Sequence, residues 1–294
     1  MALIDLHTHS TVSDGTETPE ELVATAAAAG VTTLALTDHD TTGGWDRAAA
    51  VLPQGMRLVR GAEFSCVSPT GRPETPGDKA TVSVHLLGYL FDPEHPAIVA
   101  EQRRLVAERV ERLRKMARNV AADYPQLDAD RVFDLVPEGT TPGRPHLGRA
   151  LVAAGVVESV NEAFASILRT GSKYYEPKTD TPVELAVEMI VEAGGVAVFA
   201  HPLARRRGRV IETSVLADLA RIGLTGVEVD HPDHDPADRE LLRGVAGELG
   251  LVPTGSSDFH GTNKSTPIAA ETTAPEALEE LLAKATGVDV VEGA

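Results

Sequence analysis

Asp5-Leu6-His7-Thr8-His9-Ser10 ends the first apolar run of this chain, and the same design, an apolar run stopped by a charged or imidazole residue, recurs along its length. It is seen in Val31-Thr32-Thr33-Leu34-Ala35-Leu36-Thr37 before Asp38-His39-Asp40, and in Met56-Arg57-Leu58-Val59-Arg60-Gly61-Ala62 before Glu63. Val82-Ser83-Val84 before His85 and Val196-Ala197-Val198-Phe199-Ala200 before His201 repeat it. Gly226-Val227-Glu228-Val229-Asp230 and the run from Leu251 to Ser257 before Asp258-Phe259-His260 bring the total to seven. Each reads as a buried strand with its chemistry at the C-terminal end. A strand alternates its side chains, so His7 and His9 project to one side and can grip one cation together. Imidazole beside carboxylate suits zinc, manganese or iron better than calcium.

Helical segments separate most of these strands. Three open with a threonine followed three residues later by glutamate, Thr18-Pro19-Glu20-Glu21, Thr181-Pro182-Val183-Glu184 and Thr273-Ala274-Pro275-Glu276, the signature of a reciprocal cap. The run Ala24 to Ala29 is a good helix former stopped by Gly30. Alternating strand and helix argue for an α/β fold with parallel strands and right-handed crossovers. Polar residues at nearly every strand end favour a closed barrel over an open sheet, because closure gathers all the ends around one centre.

Between the fourth and fifth strands the pattern changes. The chain divides into barrel residues 1–95, a helical insertion over 96–180, and barrel residues 181–294. Ile98 to Ala122 reads as one long helix with Ile98, Leu105, Leu113, Met116 and Val120 as its apolar stripe. Arg103, Arg104, Arg109, Arg112, Arg114, Lys115 and Arg118 are expected on a solvated outer face. Shorter helical pieces are expected at 128–136, 145–154 and 160–168, and Ser68 to Ala80 as a surface loop. An insertion of this size, emerging at the catalytic end of the barrel, is placed to act as a lid.

Composition narrows the partners. A formal net charge of −17 and a pI of ≈ 5.0 set the long-range field against a large polyanion, so duplex DNA is not expected. A small nucleotide or the end of a short single-stranded RNA can still be captured locally. There is no apolar run long enough for a membrane span and no signal core ahead of the first strand. The single cysteine, Cys66, excludes an intramolecular disulfide and reads as a small buried side chain. Together these features point to a cytoplasmic protein.

Four motifs, Asp5 to Ser10, Thr37 to Asp40, Ala200-His201-Pro202 and Ser257 to Gly261, resemble the PHP (polymerase and histidinol phosphatase) superfamily in type and order. Within it, Asp14 and Gly143-Arg144-Pro145-His146 make the chain most similar to bacterial 3′,5′-nucleoside bisphosphate phosphatases, some also described as 5′-to-3′ exoribonucleases. The resemblance implies a distorted, TIM-like seven-stranded (β/α) barrel holding two to three divalent ions, manganese first, with iron or zinc as alternatives. By position, one ion would take His7, His9, Glu63 and Asp258, with Glu63 bridging to a second on His85 and His201. The third would take Asp14, His39 and His260. The implied activity is removal of the 3′-phosphate from nucleoside 3′,5′-bisphosphates, alongside 5′-to-3′ trimming of short RNA. Two rivals stand beside it: a phosphatase of histidinol phosphate or another small monoester, and a non-catalytic metal-binding accessory module.

Six imidazoles and the carboxylates Asp14, Glu63 and Asp258 would leave three divalent ions about half neutralised, which invites an anion such as a phosphate ester. Attack on phosphorus by a metal-activated water, in line with the leaving oxygen, needs no serine or cysteine nucleophile. Candidate substrate contacts are Arg144, His146, Lys173, Arg205 with the run that follows it to Arg209, His231 and His234. For the arginine run, a solvated loop and a phosphate contact are both open. Either His231 or His234 could donate a proton to the leaving oxygen, and Glu228 reads as an outer contact rather than a ligand. Lys173-Tyr174-Tyr175 is open between base stacking and hinge packing.

Overall fold

A computed structural model describes residues 2–72, 80–136 and 140–294. The strands are β1 (Leu3–Thr8), β2 (Val31–Leu36), β3 (Arg57–Pro69), β4 (Thr81–Tyr89), β5 (Thr181–Pro182), β6 (Val196–Ala200), β7 (Leu224–Asp230), β8 (Val252–Gly255) and β9 (Val291–Glu292). Seven of them form one curled sheet in the order β1-β2-β3-β4-β6-β7-β8, while β5 and β9 are short additions paired to β3. The helices are α1 (Pro19–Ala28), α2 (Trp45–Ala49), α3 (Pro96–Ala121), α4 (Arg144–Ala153), α5 (Val160–Ala165), α6 (Val183–Glu192), α7 (Ser214–Ala220), α8 (Pro236–Leu249) and α9 (Pro275–Lys284). No helix among the described residues is long and apolar enough to cross a membrane.

The barrel is distorted because one strand is reversed. β4 runs antiparallel to both β3 and β6, whereas all seven were expected to be parallel. β3 continues past Glu63 to Pro69 and returns as the hairpin partner β4, so Glu63 and His85 lie within strands rather than at their ends. Ser68 and Pro69 therefore belong to β3, and residues 73–79 of the expected loop lie outside the described residues. Register sets Ser65 opposite His85, and His85 opposite Ala200. On β3 the side chains of Leu58, Ala62, Phe64 and Cys66 join the core beneath the surrounding helices, as do Phe199 on β6 and Val227 and Val229 on β7. Alternation then turns Glu63 and Glu228 to the opposite, inner face.

The seam between β8 and β1 closes through one backbone bridge, Thr8 to Phe259, and through the fully buried side chain of Asp5. Its carboxylate accepts from Ser257 N at 3.1 Å, Ser257 Oγ at 2.6 Å and Ala269 N at 2.8 Å. Burial raises its pKa against those bonds.

Thr18 and Glu21 form the expected reciprocal cap of α1. The other two threonines do not cap. The Thr181 hydroxyl bonds to Glu101 and its backbone pairs with Cys66, while Thr273 exchanges bonds with the backbone of Gly255 at 3.0 and 2.7 Å. A helix carboxylate has taken the first hydroxyl and a strand backbone the second.

The reversal of β4 also moves the start of the insertion. Tyr89 lies opposite Val196, the first residue of β6, and Asp92 N donates to Ala193 O, so the chain leaves β4 at the end of the barrel away from His201. The insertion does not emerge at the catalytic end; α3 carries the chain back. Ile98 packs into the barrel core, whereas Leu113, Met116 and Val120 form a second core with Leu147, Leu151 and Leu168. Of the expected solvated cations, Arg103, Lys115 and Arg118 are exposed, but Arg109 and Arg112 are held inside by polar partners.

Candidate metal centre

Glu63 stands at the centre of a cluster of imidazoles. Its Oε2 lies 3.3 Å from His7 Nε2, 3.1 Å from His9 Nε2 and 3.1 Å from His39 Nδ1. Its Oε1 lies 2.7 Å from His85 Nδ1 and 3.1 Å from His201 Nε2. Asp258 Oδ1 is 3.5 Å from both His7 and His9 and 3.4 Å from His260 Nδ1. Asp14 completes the far side, with Oδ1 3.3 Å from His260 Nε2 and Oδ2 3.6 Å from His39 Nε2. All nine expected residues are thus brought together by the ends of β1, β6 and β8, the turn after β2 and the hairpin β3–β4.

Three overlapping groups have donor atoms within 4.8 Å of one another: His7, His9 and Glu63; His39, Glu63 and His85; and His9, Asp14, His39 and His260. Buried Nδ1 atoms of His39 and His85 face Glu63 without a hydrogen bond. Paired imidazole and carboxylate lone pairs left this way would be satisfied by divalent cations, so the donor set fits the ions expected from its chemistry.

A second layer fixes the rings. Glu228, fully buried, is 3.0 Å from His7 Nδ1, accepts from His201 N at 2.7 Å and bonds to Ser256 Oγ. With the His7 proton on Nδ1, its Nε2 lone pair faces the cluster. Asp38 accepts from Ser10 N at 2.8 Å, Ser10 Oγ at 2.6 Å and Ser13 Oγ at 2.7 Å, which folds the loop that presents Asp14. The loop is tight enough that a Cβ on Gly15 would sit 2.4 Å from His9 O. His201 and Asp258 have φ of 30° and 52°, left-handed values that are costly for residues with a side chain.

Electrostatics follows burial and neighbours. Burial pushes His201 down to about 3, with Arg207 adding to it. Burial opposes protonation of His9 as well, but hydrogen bonds with Asp258 and Glu63 carry it up to about 9. Against burial, His85, His7 and His39 hold Glu63 well below the usual carboxylate range.

The expected substrate contacts separate into two sets. Arg144 and His146 lie at the start of α4, where His146 Nδ1 accepts from Gly143 N at 3.1 Å. His231 accepts from Asp233 N at 3.0 Å on Nδ1, and its Nε2 lies 3.5 Å from Asp258 Oδ2. The remaining three are engaged elsewhere. Lys173 is exposed and pairs with Asp123 at 2.6 Å. Arg205 pairs with Asp238 at 2.8 Å. His234 bridges backbone groups, accepting from Leu203 N at 3.2 Å and bonding Val229 O at 2.9 Å, so neither ring nitrogen is available as a proton donor. Tyr174 packs in the insertion core with its hydroxyl 2.9 Å from Asp123.

Sequence reasoning missed Lys264 and chose Arg205 within a run whose relevant member is Arg207. Both Arg207 and Lys264 reach Asp258 Oδ2 at 2.6 Å. With His231, Ser257, Asn263 and Asn161 of the insertion they line a cleft of ≈ 270 Å³ beside the cluster. The position of Lys264, four residues after His260, was the available signal.

A barrel with a buried imidazole–carboxylate centre and a cationic cleft defines a metal-dependent hydrolase of anionic substrates. The PHP domain family matches residues 5–134. A 3′,5′-nucleoside bisphosphate phosphatase of Chromobacterium violaceum is 35% identical, over 88% of this chain and 88% of its own. A phosphoribosyl 1,2-cyclic phosphate 1,2-diphosphodiesterase of Eggerthella lenta is 34% identical, over 87% of this chain and 94% of its own. A solved structure from Bifidobacterium adolescentis, assigned by inference as a metal-dependent phosphoesterase, superposes with a TM-score of 0.86 at 35% identity and covers 96% of each chain. The chain belongs to the PHP domain family and is a metal-dependent phosphoesterase.

Proposed function

We propose that this enzyme removes the 3′-phosphate from nucleoside 3′,5′-bisphosphates, and trims short RNA from the 5′ end by the same chemistry, in the cytoplasm. Two to three divalent ions, manganese first, would be held by His7, His9, Asp14, His39, Glu63, His85, His201, Asp258 and His260. When bound they would supply Lewis acidity and an activated water. The insertion over residues 96–180 acts in this reading as the lid that selects the nucleotide.

The observation that carries a second phosphate lies in the insertion. Among the described residues, no carboxylate forms an ion pair with Arg112, Arg144 or Arg149. Arg144 sits over the rings of Phe164 at 5.0 Å and Tyr175 at 5.7 Å, and Arg112 over Tyr175 at 5.2 Å. Arg112 Nη2 and His146 Nε2 are buried without a partner. Burial pulls Arg112 down to about 10, with Arg144 adding to it, and lowers Arg144 and Arg149 as well. Asp14 opposes the shift in Arg144, His146 and Arg149, which couples this patch to the cluster. Partly buried cations without counter-ions are costly, and a phosphate would neutralise them. A ligand with one phosphate at the cluster and another at these arginines is a bisphosphate, or two neighbouring phosphates of an RNA end.

In the cleft beside the cluster, His231 Nδ1 accepts from Asp233 N, which leaves Nε2 as the nitrogen that carries a proton. Nε2 is buried without a hydrogen-bond partner, 3.5 Å from Asp258 Oδ2, and in this reading its proton goes to the departing ribose oxygen. Arg207 and Lys264 line the same cleft and would stabilise charge on the phosphoryl oxygens.

Phosphate release from adenosine 3′,5′-bisphosphate tests the reading, with 3′-AMP and histidinol phosphate read the same way and a cyclic phosphodiester and a 5′-phosphorylated RNA read by chromatography of the monoester products. The bisphosphate should dominate, and His7→Ala or a chelator should abolish release. Preference for histidinol phosphate or the cyclic diester would overturn the substrate assignment, and metal-loaded protein silent on all five would favour an accessory role.

A further inference from the structure

We propose that Arg109 is a positioning residue, which makes the His39–Glu63 part of the centre depend on correct seating of the insertion. The proposal rests on the metal-ligand reading above. Asp40 follows His39 directly and holds a φ of 55°, a left-handed conformation that is uncommon for residues with a side chain and is held here by its surroundings. Three bonds enforce it. Asp40 N donates to Glu63 O at 3.0 Å, Ser65 N donates to Asp40 Oδ1 at 2.7 Å, and Arg109 Nε donates to Asp40 Oδ2 at 2.6 Å.

Asp40 is fully buried, and among the described residues Arg109 is the cation paired with it. The guanidinium also donates from Nη2 to Ser65 Oγ at 2.6 Å, so one planar group clamps the turn that carries His39 to the strand that carries Glu63. Its third nitrogen faces the loop leading to Arg144, where a Cβ on Gly143 would stand 3.6 Å from Nη1. Arg109 itself belongs to α3. One side chain of the insertion therefore touches the turn, the central strand and the loop before α4. If α3 shifts, Asp40 loses its counter-charge and the left-handed turn loses its enforcement.

The test is Mn²⁺ binding to the whole chain, followed by equilibrium dialysis and electron paramagnetic resonance, with Arg109→Lys, Arg109→Met and His39→Ala beside the parent. Arg109→Lys keeps the charge but replaces the planar fork, which serves Asp40 and Ser65 from separate nitrogens, with a single nitrogen. It should melt within a few degrees of the parent, yet need about tenfold more Mn²⁺ to fill the site that His39→Ala weakens. Its kcat on the bisphosphate should fall about tenfold with KM little changed. A Mn²⁺ curve identical to the parent's would overturn the proposal and leave Arg109 as a structural tie, as would equal weakening of every site with a large drop in Tm. If Arg109→Met does not fold, Arg109→Lys decides. A parent that binds no Mn²⁺ would overturn the metal reading and this proposal together, whereas normal binding in the parent with an unaltered Arg109→Lys removes this proposal alone.

Discussion

Replacing Glu228 with glutamine changes one atom and should disable the second layer of the centre. The carboxylate offers two acceptors, Oε1 to His7 Nδ1 at 3.0 Å and Oε2 to His201 N at 2.7 Å, from a fully buried position. An amide has one acceptor oxygen. If that oxygen stays with His7, the amide NH₂ confronts the backbone N–H of His201 and a buried donor goes unpaired. In the other orientation the NH₂ faces His7 Nδ1 and drives the ring proton to Nε2, the nitrogen that faces Glu63. Ser256 can rotate its hydroxyl and relieves neither conflict. An unpaired buried group costs about 1–3 kcal/mol, and about 1.4 kcal/mol is a factor of ten, so divalent-ion affinity should fall about 10–100-fold. Competition with a chromophoric chelator measures the affinity, and thermal denaturation with excess chelator isolates the packing cost. Glu228→Gln with the parent's metal affinity would refute the reasoning, because it would mean that His7 needs no fixed tautomer.

His231→Gln should lower kcat on a nucleotide substrate about 100-fold or more, with a far smaller loss on p-nitrophenyl phosphate, whose leaving group needs no proton. Equal losses on both substrates would count against proton donation. Burial pushes the His146 pKa down to about 4 from the ordinary 6.5, so the unfolded chain binds the extra proton between those values. Its effect on stability is therefore neutral above pH 6.5 and becomes a penalty as pH falls toward 4, reaching at most about 3 kcal/mol. Urea unfolding of the parent and His146→Gln from pH 4 to 7 should show the parent losing more stability toward acid, and parallel curves would remove the assignment.

The α/β fold and the placing of chemistry at strand ends were legible in apolar runs that stop at histidine, aspartate or glutamate, although Glu63 and His85 lie inside longer strands. The full set of nine, Asp14 above all, came from the resemblance to the PHP superfamily. The direction of β4 was not legible. Val82 to Val84 and the apolar residues after His85 would suit a strand run either way, and the choice was made by a hairpin with β3 that propensity does not encode. The same holds for the caps at Thr181 and Thr273, whose hydroxyls were claimed by residues far away in sequence. In the run Arg205-Arg206-Arg207, composition cannot say that Asp238 takes the first and Asp258 the third, since both partners come from other elements. Nor does an isolated sequence show that backbone groups occupy both nitrogens of His234 and leave His231 Nε2 without a hydrogen-bond partner.

The reversed β4 gives α3 the character of a gauge. Delivered to the far end of the barrel, the chain must climb the whole wall before it can reach the centre, and α3, 26 residues long, spans about 39 Å in doing so. Ile98 pins its foot in the barrel core, and Arg109 meets Asp40 partway up. Each residue of helix adds about 1.5 Å and turns about 100°. Deleting a single residue between those two points would swing Arg109 a quarter-turn and more off target, together with every cation above it. A whole turn restores the phase but carries Arg109 about 5.4 Å along the axis, far beyond reach of a partner now 2.6 Å away, so the length of the helix between Ile98 and Arg109 is fixed in both angle and rise.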